Sequence, residues 1–190
     1  MVDIGFLVEG ETEEILINHL KNIDWFEQFG INIVSVINLK GNGNFCAKNI
    51  EKFIIQAKAF EPKHIILLTD LECDPCIEKT KERLGDCSDC ITIIARKAIE
   101  SWILADTNLM QTITNNKEFI YNTPETTSTM PFDEIVSVLK DNNAKGTGPS
   151  KPRFLKRVIK QGFDIDSANQ HLNIPSLNYF IDKLKNIGET

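Results

Sequence analysis

No apolar run in this chain approaches the roughly 20 residues that a membrane-spanning helix needs, and the longest, around Ile4 to Val8 and Ile65 to Leu68, are strand-length. Nor does the chain open on a charged leader followed by an apolar stretch, so a cytoplasmic setting without membrane association is expected. Positive charge is also scarce, with 21 Lys and Arg against 27 Asp and Glu and a net charge of −6. That excludes a protein that grips nucleic acid by bulk electrostatics, because neutralised phosphates supply most of such affinity. A polyanionic substrate would have to be met by metal ions, a local basic patch or a partner. Cysteines number five, Cys46, Cys73, Cys76, Cys87 and Cys90, in a chain of 190 residues that is large enough to fold without disulfide staples. Reduced thiols are therefore expected. There is no internal repeat and no low-complexity tract, and a hydrophobic content of 42% fits an ordinary globular core.

What is present is a βα rhythm. Ile4 to Val8 reads as a buried strand closed by Glu9-Gly10, and Thr12 is the expected N-cap of a helix carrying Glu13 and Glu14 in its first turn. Ile31 to Ile37 is rich in β-branched residues and reads as a second strand, followed by a Lys40-Gly41-Asn42-Gly43-Asn44 loop and a helix near 45–60. His64 to Leu68 is a third buried strand running into Thr69-Asp70. Pro75 suits the first turn of a helix reaching about Leu84, and Ile91 to Ile94 is a fourth strand. Strands alternating with helices imply an α/β fold with a parallel sheet of about four strands flanked by helices. Lys97 to Asp106 is helical in pattern, with Trp102 for the core. Beyond it lie loops at 121–131 and 142–152 and helices near 132–141, 153–161 and 176–186, the last with Ser176 as its expected N-cap. The expected organisation is an α/β core over 1–107 and a C-terminal helical extension over 108–190 packed on it as one compact unit.

Two short acidic motifs follow the first and third strands: Val8-Glu9-Gly10-Glu11-Thr12-Glu13 and Leu68-Thr69-Asp70-Leu71-Glu72-Cys73-Asp74. Loops after parallel strands gather at one sheet edge, which would bring Glu9, Asp70, Glu72 and Asp74 around one crevice. Carboxylates held together repel each other unless a cation neutralises them. Magnesium or manganese, singly or as a pair, suits such oxygen donors, and beside a phosphodiester the ion polarises the phosphoryl oxygen and activates water. The alternation Asp70, Glu72, Asp74 carries this reading, since every second residue of an extended stretch points the same way. Glu13 is a further candidate ligand, with a helix N-terminal charge as its alternative. Glu100 either completes the metal shell or stabilises its own helix N-terminus. Basic candidates are Lys97, Lys151 and Arg153. Lys151 follows a Gly-Pro loop that could fold over the crevice, and its alternative is a solvated surface lysine. Lys40 with Gly41 and Gly43 could offer N–H groups to a phosphate, though a plain turn is the simpler reading. Asp106 reads as structural.

Cys73-x-x-Cys76 and Cys87-x-x-Cys90 have the spacing of a zinc site. A helix over 75–84 would hold the two pairs about 15 Å apart, beyond the span of one tetrahedral ion. Free thiols are the expected state, with zinc the alternative.

Glu9-Gly10 after the first strand, with Asp70-Leu71-Glu72 and Asp74 after the third, resembles the Toprim domain shared by topoisomerases, primases, recombination proteins and the overcoming-lysogenization-defect nucleases. Together with Ala98-Ile99-Glu100-Ser101-Trp102-Ile103-Leu104-Ala105-Asp106, Gly148-Pro149-Ser150-Lys151-Pro152 and Pro175-Ser176-Leu177, the pattern is similar to a family of small Toprim-like bacterial proteins of unassigned function, over nearly the whole chain. The resemblance implies a Toprim-like, Rossmann-like sheet and a metal-dependent phosphodiester site. In it Glu9 is the general base or a metal ligand, and Asp70, Glu72 and Asp74 form the metal-binding set. Glu72 departs from the usual second aspartate and carries its carboxylate farther out. The resemblance also implies an ABC or SMC-type ATPase partner and a role in anti-phage defence. The expected activity is a nuclease acting on nucleic acid, and the alternative is a non-catalytic subunit docking on an ATPase or nucleic acid. A haloacid-dehalogenase-type phosphatase is disfavoured because the first strand ends in Glu-Gly where an aspartate nucleophile is needed. Topoisomerase chemistry is excluded: only Tyr121 and Tyr179 could be nucleophiles, in a chain too short for strand passage.

Overall fold

The computed structural model describes residues 1–41, 43–71, 74–85, 87 and 90–189. It divides into two compact units, the first formed by Met1–Ala95 with Tyr179–Thr190 and the second by Arg96–Asn178. The boundary falls before residue 107 because the helix that follows the fourth strand packs against later helices of the second unit.

The first unit is an α/β fold. Its elements are β1 (Val2–Val8), α1 (Glu11–Asn22), a 3-10 turn at Trp25–Phe29, β2 (Ile31–Asn38), α2 (Ala47–Lys58), β3 (His64–Asp70), α3 (Ile77–Leu84) and β4 (Cys90–Ala95). All neighbouring strands run parallel in the order β2-β1-β3-β4. The two central strands are near-continuous apolar runs because both of their faces are covered. On one face Leu7, Ile65 and Leu67 meet Phe45, Ile50, Ala57 and Leu84. On the other, Phe6 packs its ring 5.7 Å from Phe26 and 6.4 Å from Phe180.

The capping of α1 differs from expectation. Gly10 occupies the N-cap, where its N–H donates to Glu13 Oε2 at 2.9 Å, and Thr12 is a buried residue inside the first turn. The helix starts earlier because Glu13 reaches back to accept from the Gly10 N–H, the half of a capping box that needs no side chain at the N-cap.

The second unit is helical: α4 (Glu100–Ala105), α5 (Thr107–Thr114), α6 (Pro131–Asp141), α7 (Lys151–Lys160) and α8 (Ile165–Asn169), with the start of α9 (Pro175–Gly188). Trp102 is fully buried, and its Nε1–H donates to Ser176 Oγ at 3.0 Å. Ser176 is consequently not an N-cap. Its backbone N–H and its hydroxyl both donate to the Glu125 carboxylate, which takes over the capping of α9. No helix among the described residues is long and apolar enough to cross a membrane.

Candidate functional site

The order β2-β1-β3-β4 makes the chain leave β1 toward one side of the sheet and return on the other side to build β3. The loops after β1 and β3 therefore diverge, and the crevice between them is where open α/β sheets place ligands. Val8 lies opposite Leu68, which sets Glu9 against Thr69 and puts Asp70 one residue farther along. With strands about 4.8 Å apart and a rise of about 3.3 Å per residue, the Cα atoms of Glu9 and Asp70 are about 6 Å apart.

Both carboxylates are buried at this edge, Glu9 at 7% and Asp70 at 6% exposure. The Glu9 backbone is fixed on both sides: its N–H donates to Leu68 O at 3.2 Å and its carbonyl accepts from Gly41 N–H at 2.7 Å. Its side chain accepts from the fully buried Thr69 hydroxyl. Asp70 pairs with Ala95 in β4, and Leu71 N–H donates to Ala95 O at 2.9 Å, so the strand end is held up to the point where the loop begins. Two carboxylates withdrawn from water therefore stand on neighbouring strand ends, Glu9 on the side that the Thr69 hydroxyl shares.

The other expected residues have separate places. Glu13 sits beside this edge in the first turn of α1, but its Oε2 is committed to Gly10. Asp74 Oδ2 accepts from Thr80 Oγ1 at 2.9 Å and from Arg83 Nε at 3.1 Å, which ties the start of α3 to its end. Glu72 lies outside the described residues. Glu100 and Lys151 belong to the second unit, where they face each other. Glu100, 2% exposed at the start of α4, has Oε1 3.3 Å from Lys151 Nζ, while its buried Oε2 makes no hydrogen bond. Lys151 opens α7, with its ammonium 5.9 Å from the centre of the Phe132 ring. Among the described residues, no group of three or more His, Cys, Asp and Glu side chains is arranged to hold a metal ion.

The remaining basic candidates divide in the same way. Lys97 donates to the carbonyl and hydroxyl oxygens of Thr127 and to Thr129 O, so it anchors the 121–131 loop. Arg153 is exposed. The loop after β2 turns at Lys40, whose N–H is taken by Asn38 Oδ1 at 2.7 Å, and the Gly41 N–H is the one that holds Glu9, so this is a turn that braces the acidic edge. Asp106 is structural: fully buried, it accepts from Leu109 N–H, Asp164 N–H and Ser167 Oγ.

The cysteines correct the reduced-thiol expectation. Cys87 and Cys90 form a disulfide, with Cα atoms 5.3 Å apart, whereas Cys46 and Cys76 are free thiols. Cys87 and Cys90 are three residues apart at the entry to β4, close enough to pair without bending the backbone. Cys76 sits at the opposite end of α3, and Cys73 lies outside the described residues.

Thr69 is the residue that reading the acidic motifs passed over. Its signal was present: it stands one position before Asp70, in register with Glu9, at the end of the apolar run Ile65 to Leu68.

Fold and edge together define an α/β protein with buried carboxylates at the switch point of a parallel sheet. Comparison with known protein families, with curated proteins and with solved structures finds no match to the chain.

Proposed function

We propose that this protein is a Toprim-type, metal-dependent phosphodiester-cleaving enzyme, a nuclease whose site is the edge formed by Glu9 and Asp70. The observation that carries the reading is the burial of these two carboxylates on adjacent strand ends at the switch point. The donors fit a hard divalent cation, since magnesium or manganese takes carboxylate oxygens and is satisfied by one or two of them together with water and substrate phosphate. Glu9 and Asp70 would hold it, with Glu72 as the further ligand the motif implies. When bound, such an ion supplies charge stabilisation at a phosphoryl oxygen and lowers the pKa of a bound water. Thr69 donates to Glu9 and so fixes the rotamer of the carboxylate that would act as ligand or proton acceptor. The thin supply of basic side chains fits an ATPase partner that contributes to substrate grip, and a place in anti-phage defence follows from the same resemblance.

Calorimetric titration with manganese and cleavage assays on DNA and RNA test this, with and without a candidate ATPase. Glu9→Gln and Asp70→Asn are expected each to lower cleavage by about 100-fold or more while circular dichroism stays unchanged. Manganese binding that persists at full strength in the double variant would reject the site. A second reading is a non-catalytic subunit that docks on an ATPase or nucleic acid, favoured by the lack of a three-ligand group among the described residues. It predicts no metal binding in the parent protein.

A further inference from the structure

The second unit carries a cleft of about 340 Å³ that the acidic edge does not involve. Its size is that of a small-molecule site. No charged side chain lines it; its polar groups are amides, hydroxyls and one imidazole, among them Asn108, Asn122, Gln170 and His171. Its apolar members include Ile120 and Leu172, which are 62% and 95% exposed. Covering these two aliphatic side chains with a ligand would remove their apolar surface from water beside the polar groups of the cleft.

The walls are braced. His171 Nδ1 accepts from Asn173 N–H at 3.0 Å, which places the ring proton on Nε2, and that proton is donated to Tyr121 O at 2.8 Å. Asn173 Nδ2 donates to Asn122 O at 2.7 Å, and Asn108 Nδ2 donates to Ser167 Oγ at 3.2 Å. These bonds use backbone groups of Asn122 and one end of Asn108. They leave the side-chain amides of Asn122 and Gln170 and the Asn108 Oδ1 without a hydrogen bond among the described residues. Each free amide sets a donor beside an acceptor.

We propose that this cleft binds a nucleobase. The absence of charge speaks against a phosphate, carboxylate or amine as the recognised group. A ligand that presents a donor beside an acceptor on a rigid, flat edge is the match for carboxamide side chains, as when Asn or Gln pairs with adenine. The aliphatic faces of Ile120 and Leu172 suit the planar surface of such a ring. The choice of a base over other flat heterocycles rests on the nucleic-acid reading above. With a net charge of −6 the chain gains little from phosphates, so base contacts become the available source of affinity.

The test uses nucleosides, which lack phosphate, in buffer without divalent cations, so the acidic edge plays no part. Adenosine, guanosine, cytidine and uridine are titrated into the full-length protein while the side-chain amide resonances are followed by NMR. At least one nucleoside is expected to shift the Asn122 and Gln170 amides saturably, with a dissociation constant on the order of 1 mM or tighter. Asn122→Ala and Gln170→Ala should each weaken binding about tenfold. Leu172→Ser, at a side chain that packs on almost nothing, should weaken it without changing the melting temperature. No saturable shift with any nucleoside, shifts that the variants leave intact, or equal shifts from ribose 5-phosphate or an acetylated, amidated tetra-alanine would overturn the proposal. A nuclease that fails here keeps its metal-dependent cleavage; failure of the nuclease reading leaves nucleoside binding untouched.

Discussion

Glu125 is a buried carboxylate whose work is structural, and it makes a pH-dependent prediction. Burial pushes its pKa up, while the Ser176 hydroxyl and N–H, Arg96 and the Leu177 N–H pull it back only in part. Below its ordinary value of 4.5 the group is protonated in both folded and unfolded chains. As pH rises from there toward the folded-state value, the unfolded chain releases the proton and the folded one keeps it, so stability falls with rising pH across that window. Glu125→Gln, which carries no titrating proton, should flatten this decline in thermal melts taken from pH 4 upward. Glu125→Ala should cost about 2 kcal/mol at neutral pH in urea denaturation, because the Ser176 donors lose their acceptor. This carboxylate was not legible from the sequence. It lies in a Thr- and Pro-rich loop that reads only as a connector, and its partner is 51 residues away. The same long-range bond is why Ser176, with the local signature of an N-cap, serves as a donor. The strand-end positions of Glu9 and Asp70 were legible, because Glu9 directly follows an apolar run and Asp70 stands one threonine beyond another, and the end of a buried parallel strand can be read locally.

Among the elements, the four strands and α1, α2 and α6 follow the apolar pattern, α3 has only Ile77 and Leu84 as apolar residues and is announced by Pro75, and α5 and α8 are short elements that do not stand out in the sequence, although α5 buries Leu109, Met110 and Ile113. Thr107–Thr114 is rich in Thr, Asn and Gln, and Ile165–Asn169 is only five residues long. Both are held by Asp106, which caps α5 through Leu109 and reaches Asp164 and Ser167 at α8, so tertiary contacts define them where propensity does not. At the end of α3, Gly85 has φ of +78°, and a Cβ there would stand 2.7 Å from Ala47 Cβ. Gly85→Ala should cost about 1–3 kcal/mol. Gly162→Ala is the control, with φ of +98° and nothing within 4 Å of an added Cβ, and should cost less. Equal losses in the two variants would show that the approach of α3 to α2 contributes nothing. Just beyond Gly85, the Cys87–Cys90 disulfide ties Cys87 to the first residue of β4. Mass spectrometry after alkylation of the native protein should find both unmodified until a dithiol reductant is added.

At the scale of the whole molecule, charge and topology act together. The βα rhythm implied a parallel sheet, but the order β2-β1-β3-β4 is set by which side of β1 each crossover takes, and that choice has no local signature in the sequence. It matters for the proposed site because this order puts the loops after β1 and β3 on diverging paths next to Glu9 and Asp70. The surplus of acidic over basic residues then governs how any nucleic acid can be held. Each phosphate neutralised by Lys or Arg adds a slope of about −0.9 to the dependence of log affinity on log salt for duplex DNA. Lys97, one of the basic candidates, is spent on Thr127 and Thr129, and Lys151 is paired with Glu100, so neither is available for such contacts, while Arg153 is exposed. Binding of the isolated protein to duplex DNA, measured by fluorescence anisotropy between 50 and 300 mM salt, should give a slope shallower than about −3. Adding magnesium should strengthen binding in the parent and not in the Glu9→Gln, Asp70→Asn double variant, since the ion would then supply the positive charge at the sheet edge. A slope of about −5 or steeper would place the grip on a basic surface, and the acidic edge would lose its part in holding the substrate.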